Sequence, residues 1–419
     1  MRQAGRCIDL KPLVADDFST NRRMVAIFFV SVSTLVMASA LVGLLQSIVL
    51  CAAEVERPET KIEAVFRSQN MLVQVGPREL ILPAGAQGLN YFPDLCFSLI
   101  QTNPTHRVLL AAGVSTWLLE GPDMKSLRTV GKVLTHGPAG SCDNGYAGIS
   151  SAIRDGASGR LLAFYHAEDQ EGRPRNTAGV PGFHCSIALA VSKDDGRSFD
   201  KIGPVLTSVA PKMTGNTFDQ GCGEPCVIVD RDRRFLLAYY VDHSRWGGRG
   251  VQICLARSPL VEGGRPGTWL KYYDGAFSEP GLGGKDTPIV SAKALGADAL
   301  FPYVTYAAGL GKYVMAFNIN AYAELNAGRA PRDSGLYLAH SDDGVHWSPP
   351  RQLLAAYAIC QLDKEVVWHP TLMLEAVDAG TRTAKGWLYY GYSDRWGHAA
   401  PRKPHHLVGH RIELSLKPR

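Results

Sequence analysis

The 419-residue sequence has no long block of one charge: 44 Lys and Arg stand against 39 Asp and Glu, for a formal net charge of +5, and basic runs stop after a few residues. That excludes nucleic acid as the main partner, which would call for a concentrated basic stripe. No pair of CxxC units occurs, and three residues separate Cys222 from Cys226, so the nine cysteines make no zinc pattern. They read as buried thiols or, outside the cytoplasm, as disulfides, and no metal ligand is assigned. No glycine-rich nucleotide loop is present, so no cofactor is required. Beyond residue 53 no apolar stretch is long enough for a membrane span.

One such stretch does exist before that point. Residues 24–53 carry no charge, and a hydrocarbon core needs only about 20 apolar residues to be crossed. Arg22 and Arg23 precede the stretch, and Glu54 and Glu56 follow it, so the positive-inside rule keeps residues 1–23 in the cytoplasm and exports the rest. The length favours an uncleaved signal anchor. A cleaved signal peptide is the alternative, because Cys51, Ala52 and Ala53 offer a small-residue site. Leu50 is too bulky for a lipoprotein signal. The expected organisation is a leader at 1–23, the apolar segment at 24–53, a linker and entry strand at 54–89 and an extracytoplasmic domain at 90–419, with the membrane as partner through the apolar segment.

What the chain has in quantity is turn residues. Its 43 Gly and 25 Pro are scattered between short β-branched and aromatic runs, the pattern of many short strands and hence of an all-β protein. Runs starting at Leu161 (LLAFY), Phe235 (FLLAYY), Tyr313 (YVMAF) and Trp387 (WLYY) are spaced by 74, 78 and 74 residues, and a weaker one starts at Arg107. Each follows a turn and another strand, as in EPCVIV from Glu224, and precedes a third, as in SIALAV from Ser186. Four strands per unit and five units predict a five-bladed β-propeller, an architecture that leaves few edges open. Two stacked β-sandwiches would not require the regular spacing.

Turns between third and fourth strands carry a further pattern. Ser192, Asp194, Gly196 and Phe199 fit Ser-x-Asp-x-Gly-x-x-aromatic, and Asp342, Gly344 and Trp347 fit it without the leading serine. They resemble the Asp-boxes of sialidases. The Asp accepts turn N–H groups and the Gly supplies positive φ, so these acids read as structural.

In a propeller the starts of the innermost strands converge on a funnel, where polar residues can act together. Aligning the units puts Glu224 of GCGEPCV, Asp94 of YFPDLCF and His369 of VWHPTL at equivalent starts, with Pro302 and no acid in the fourth unit. Two carboxylates across a funnel are what glycoside hydrolysis needs. Burial beside a proline and cysteines would suit Glu224 as the acid. Strand-end acids that merely join neighbouring blades are the alternative.

Over residues 90–419 this layout resembles the five-bladed glycosidases of glycoside hydrolase family 43 and its relatives. The resemblance implies Asp94 as general base, Glu224 as general acid and a pKa-setting acid in the second blade. That last place falls near Ala147 or Gly148, with Asp143 the nearest acid. His369 resembles a last-blade histidine that points to the axis, sometimes near a structural cation.

Two loops repeat locally, YYVDHSRWGG from Tyr239 and YYGYSDRWGH from Tyr389, so Arg245, Trp246, Arg395 and Trp396 leave equivalent strands. Indole faces stack on sugar rings and guanidinium forks bind hydroxyls or carboxylates, which makes these residues, with Asp242, His243 and His369, the expected binding wall for a carbohydrate. Tryptophan packed between blades with arginine in solvent is the other reading. The expected function is an exported glycoside hydrolase, inverting if its two carboxyls stand about 6.5–9.5 Å apart. A non-catalytic glycan-binding propeller is the alternative, and a sialidase, which would need an arginine trio, ranks below both.

Overall fold

A computed structural model describes residues 71–175, 181–215, 219–244, 250–321, 332–358, 364–375, 381–394 and 405–416. The leader, the apolar segment at 24–53 and the Arg-Trp pairs Arg245/Trp246 and Arg395/Trp396 lie outside these residues. Among the described residues no helix is long and apolar enough to cross a membrane.

The described chain is nearly all β. After an opening strand β1 (Met71–Leu82) come β2 (Ser98–Gln101), β3 (His106–Ala112), β4 (Ser115–Gly121) and β5 (Arg128–Leu134), which pair in order as an antiparallel meander. A second unit follows in β6 (Tyr146–Arg154), β7 (Leu161–Asp169), β8 (His184–Ser192) and β9 (Asp200–Leu206). The third runs through β10 (Gln220–Val229), β11 (Phe235–Asp242), β12 (Gln252–Pro259), β13 (Leu270–Tyr273) and an added β14 (Ala276–Pro280). The fourth contains β15 (Ala297–Ala307), β16 (Lys312–Ala321), β17 (Gly335–Ser341) and β18 (Arg351–Ala355), and the fifth β19 (Val366–Leu374), β20 (Thr383–Ser393) and β21 (His406–Leu416). One short α-helix, Ala292–Leu295, precedes β15.

Among the described residues the fifth unit has three strands of its own, and β1 supplies a fourth by pairing antiparallel with β21 from Met71↔Leu416 to Leu82↔Leu407. The start of the described chain thus covers what would otherwise be an open edge. A parallel contact of β10 with β8, Gln220↔His184 and Gly221↔Cys185, joins the second and third units into one sheet.

The repeated apolar runs of the sequence are the second strands β3, β7, β11, β16 and β20. They are apolar without alternation because both of their faces are covered. Leu109 packs with Ala163 and Tyr165 of the second unit, whereas its neighbours Val108 and Leu110 pack with Tyr389 and Leu407 of the fifth. Adjacent tyrosines divide likewise: Tyr240 joins Phe164 and Trp269 on one side, and Tyr239 joins Met315 and Phe317 on the other. A fifth cluster unites Val314 and Leu336 with Leu388 and Tyr390. Each unit therefore shares an apolar core with the next, and the last with the first, so the arrangement closes in a propeller-type ring.

The inner strands add polar links to that ring. Phe97 N–H donates to Thr371 Oγ1 at 3.1 Å, Val227 N–H to Ser151 Oγ at 2.8 Å and Val304 N–H to Cys226 Sγ at 3.1 Å. Ser98 Oγ–H donates to the Ser150 carbonyl at 3.0 Å. These small side chains follow a bulge in the inner strand, where the ladder releases an N–H that must be satisfied from next door.

Among the described cysteines, Cys96, Cys142, Cys185, Cys222 and Cys226 carry free thiols. In the first Asp turn, Asp194 Oδ1 takes the Ser192 hydroxyl at 2.8 Å and Ser198 N–H at 2.9 Å, and the Ser198 hydrogen bond leads in lowering its pKa to about 2. The second turn needs a correction to the expected register. Asp343, not Asp342, accepts the turn N–H groups of Val345 and His346 at 2.8 Å, and Ser341 supplies the leading serine. This turn is one residue shorter, which moves Asp342 out to pair with Lys312 at 2.5 Å.

Replacing Ser151 by Ala strands the buried Val227 N–H and should cost about 1–3 kcal/mol of stability. Urea unfolding of the variant beside Ser258→Ala, whose hydroxyl lies outside the ring, checks this; equal losses would deny the ring link its special weight.

Candidate active site

Three inner strands bulge at an X-Pro step. Glu224 (φ +53°), Phe301 (φ +54°) and His369 (φ +50°) all take left-handed backbone conformations there, and the pairing registers of β10, β15 and β19 shift at the same points. Such a conformation costs a non-glycine residue about 1–3 kcal/mol, and strain of this kind concentrates at functional sites. Hydrogen bonding between the inner strands gives the equivalent places in the other units. Phe97, Val227 and Val304 donate alike to the preceding unit, so Asp94 stands three residues before its donor as Glu224 and Phe301 stand before theirs. In the second unit the same place, two residues before Ser151, belongs to Ile149, which is fully buried.

Glu224 is the most constrained of these. Its backbone N–H donates to His166 Nδ1 at 3.0 Å, and its Oε1 lies 3.4 Å from His243 Nε2. Its Oε2 is buried with no hydrogen-bond partner. Gly223 makes the approach possible, since a Cβ there would lie 2.2 Å from His166 Nδ1. His166 Nε2 in turn faces Glu168 Oε1 at 3.2 Å, and Gln170 Nε2 donates to Glu168 Oε2 at 2.7 Å. Phe183 stands edge-on to both His166 and His243.

Asp94 meets this group through Tyr146. The Tyr146 hydroxyl bonds the Asp94 carbonyl at 3.3 Å and also engages its carboxyl, while the Tyr146 ring abuts His166. Burial first, then the Asp94 and Glu168 charges, push the phenol well above its ordinary pKa, so Tyr146 is a fixed donor.

Electrostatics separates the titrating groups. Burial opposes a charge on His243, but the Glu224 carboxylate, with Asp219 and Asp242, overrides it and raises the pKa above 6.5. Asp219 directly precedes β10 and is itself exposed, with the protein crowded closely behind it. That crowding, reinforced by Glu168 and Glu224, raises its pKa to about 6 against the opposing pull of His243. His369 is held neutral, since burial and the nearby His405 and His166 press its pKa well below 6.5. Its Nδ1 is buried without a partner, and its ring lies 4.0 Å from that of Phe301.

Two expected residues sit elsewhere. Asp143 is bound to Lys201 of β9 and to the Tyr165 hydroxyl at 3.2 Å, an ion pair between an inner loop and an outer strand. Asp242 turns into the core beside Asp286, Cys254 and the buried Lys271, because side chains alternate along β11 and its neighbour His243 takes the funnel side. Residue spacing gave no sign of Glu168, His166, Asp219 or Tyr146. Glu168 and His243 do share a cue, in that each stands three residues after the second of two adjacent aromatic residues, Phe164–Tyr165 and Tyr239–Tyr240, at or just past the end of equivalent second strands.

No family model and no curated protein matches the sequence. Among solved structures, one titled as a glycoside hydrolase matches with a TM-score of 0.50 and 16% identity, covering 84% of this chain and 96% of that one. A family 117 glycoside hydrolase from the marine bacterium Zobellia galactanivorans aligns at TM-score 0.48 and 13% identity over 82% and 91% of the two chains. An endo-arabinase from Bacteroides thetaiotaomicron gives 0.44 and 11% over 81% and 98%. At these identities the likeness is one of architecture: the chain has the fold of a solved glycoside hydrolase.

Proposed function

We propose that the protein is an exported glycoside hydrolase acting on an oligosaccharide or polysaccharide, with its five units as the blades of a propeller and Asp94 and Glu224 as its working carboxylates. The observation that carries this reading is Glu224, held on a strained bulge with one oxygen against His243 and the other buried, unpartnered and surrounded by acids and histidines. A group kept in that state has a partner still to come, and a sugar hydroxyl or glycosidic oxygen is one of the right chemistry. Asp94, steadied by Tyr146, is the candidate base. Asp219 joins Glu224 as a candidate proton donor, because a carboxyl that titrates near 6 holds its proton closest to neutral pH. The chemistry needs no cofactor. Export rests on the apolar segment at 24–53 and its flanking Arg22 and Arg23.

A non-catalytic glycan-binding propeller is the second reading, favoured by Ile149, which puts an apolar side chain where the second blade would offer an acid.

Hydrolysis of a panel of nitrophenyl glycosides by the full-length chain decides between them. Glu224→Gln and Asp94→Asn should each lower kcat at least about 100-fold with the fold intact, the low end of what general acid–base groups contribute. Asp219→Asn should remove the fall of activity above pH 6 along with most of the rate. Silence on every glycoside, with binding on a glycan array, would establish the binder.

Proton linkage gives an independent check on the Glu224–His243 pair. A histidine whose pKa is raised on folding stabilises the protein below its unfolded value near 6.5, and that stability is lost as pH rises through the folded pKa. Glu224→Gln should lower the His243 pKa, read from its ring proton by NMR, and flatten the decline of unfolding free energy that sets in as pH rises above the unfolded value. An unmoved His243 titration would mean the pair does not form in solution.

A further inference from the structure

In the second unit Ile149 fills the inner-strand place, as Phe301 does in the fourth, and Asp143 is bound to Lys201 and Tyr165. An acid from the same unit reaches the site by another route. Glu168 ends β7, the second strand, and its side chain is only 12% exposed. Both of its oxygens are engaged, Oε1 by His166 Nε2 at 3.2 Å and Oε2 by Gln170 Nε2 at 2.7 Å. Gln170 is itself braced by its N–H donating to Asn144 Oδ1 at 2.9 Å.

The hydrogen bonds dictate the histidine's tautomer. A backbone amide can only donate, so His166 Nδ1, which receives the Glu224 N–H at 3.0 Å, is the acceptor and the ring proton sits on Nε2. That proton points at Glu168. Donation therefore runs in one direction, from the N–H of Glu224 on the strained bulge, through His166, to the Glu168 carboxylate.

We infer that Glu168 is the positioning residue contributed by the second unit: through His166 it holds the left-handed bulge that carries Glu224. The inference rests on the hydrolase reading for its catalytic consequence but not for its geometry. The groups coupled electrostatically to Asp219 are His243, Glu168, Glu224, His166, Arg173 and Cys185. Glu168 and Glu224 are the two carboxylates among them, so removing the charge of either eases ionisation of Asp219.

Glu168→Gln keeps an acceptor for His166 and removes the charge, whereas Glu168→Ala removes both. In the full-length chain labelled with carboxyl-13C aspartate, Glu168→Gln should shift the Asp219 titration to lower pH, with Asp219→Asn identifying the signal. The 15N spectrum should show His166 protonated on Nε2 in the wild type and a mixture of tautomers in Glu168→Ala. On any glycoside that is cleaved, Glu168→Ala should lose about 10- to 100-fold in kcat with little change in KM, part of the general acid–base contribution. Glu168→Gln should recover most of that loss at acid pH, with its alkaline limb moved to lower pH. An Asp219 titration unmoved in Glu168→Gln, together with an unchanged tautomer in Glu168→Ala, overturns the inference whether or not any glycoside is cleaved. A wild type silent on the whole panel counts against the hydrolase reading alone, since both spectroscopic results still decide the role of Glu168.

Discussion

Closure of the inner strands is the constraint on which the rest of this structure depends. Each unit buries both faces of its second strand against its neighbours, so no unit has a core of its own and the ring is stable only when complete. Near the axis the strands approach too closely for regular pairing to continue. They bulge, and the freed amides are taken up by Ser151, Cys226 and Thr371 of adjoining units. The covering of β21 by β1 belongs to the same logic, because a ring that ended on an unpaired strand would expose a row of backbone donors and acceptors.

The candidate site is a product of those bulges. A bulge turns one residue out of the alternation of its strand and aims it along the axis, and at three of the five units that residue is Glu224, Phe301 or His369 in a left-handed conformation. The strain is supported by the groups packed behind it. His166 accepts the Glu224 amide, Gly223 leaves room for the imidazole, and His243 balances the carboxylate. Fold closure and the electrostatic character of the funnel are in this sense one feature, since the backbone that closes the ring also presents the acids.

The charge distribution within the funnel is uneven in a useful way. Asp94, Glu168, Asp219 and Glu224 bring four carboxyl groups together near His243, whose pKa Glu224, Asp219 and Asp242 raise, and near His369, which burial keeps neutral. Crowded acids in a partly desolvated wall cannot all ionise with equal ease, and the difference falls on Asp219. A Lys-centred cluster around Asp242 and Asp286 lies in the core behind β11, and it reaches the site through the Asp242 charge felt by His243.

Much of the architecture was legible in the chain. The runs at Leu161, Phe235, Tyr313 and Trp387 are the second strands, their lack of alternation reflects burial on two faces, and the X-Pro steps at Glu224 and His369 mark the bulges. Local sequence determines such features because strand propensity, turn chemistry and the proline restriction act over a few residues. The expected strand starts for Asp94 and Glu224 are shifted, since Glu224 stands inside β10 and Asp94 ahead of β2, and their equivalence shows in the hydrogen bonds of Phe97 and Val227. The structure alone decided which other side chains join them. Asp143 lies only a few residues before β6 yet is captured by Lys201 from an outer strand, Asp242 and His243 part company at the end of β11, and Glu168 arrives from a second strand. Those outcomes depend on which residues distant in sequence meet across a closed ring. Spacing along the chain holds no record of that, because the contacts are set by the packing of one unit against the next.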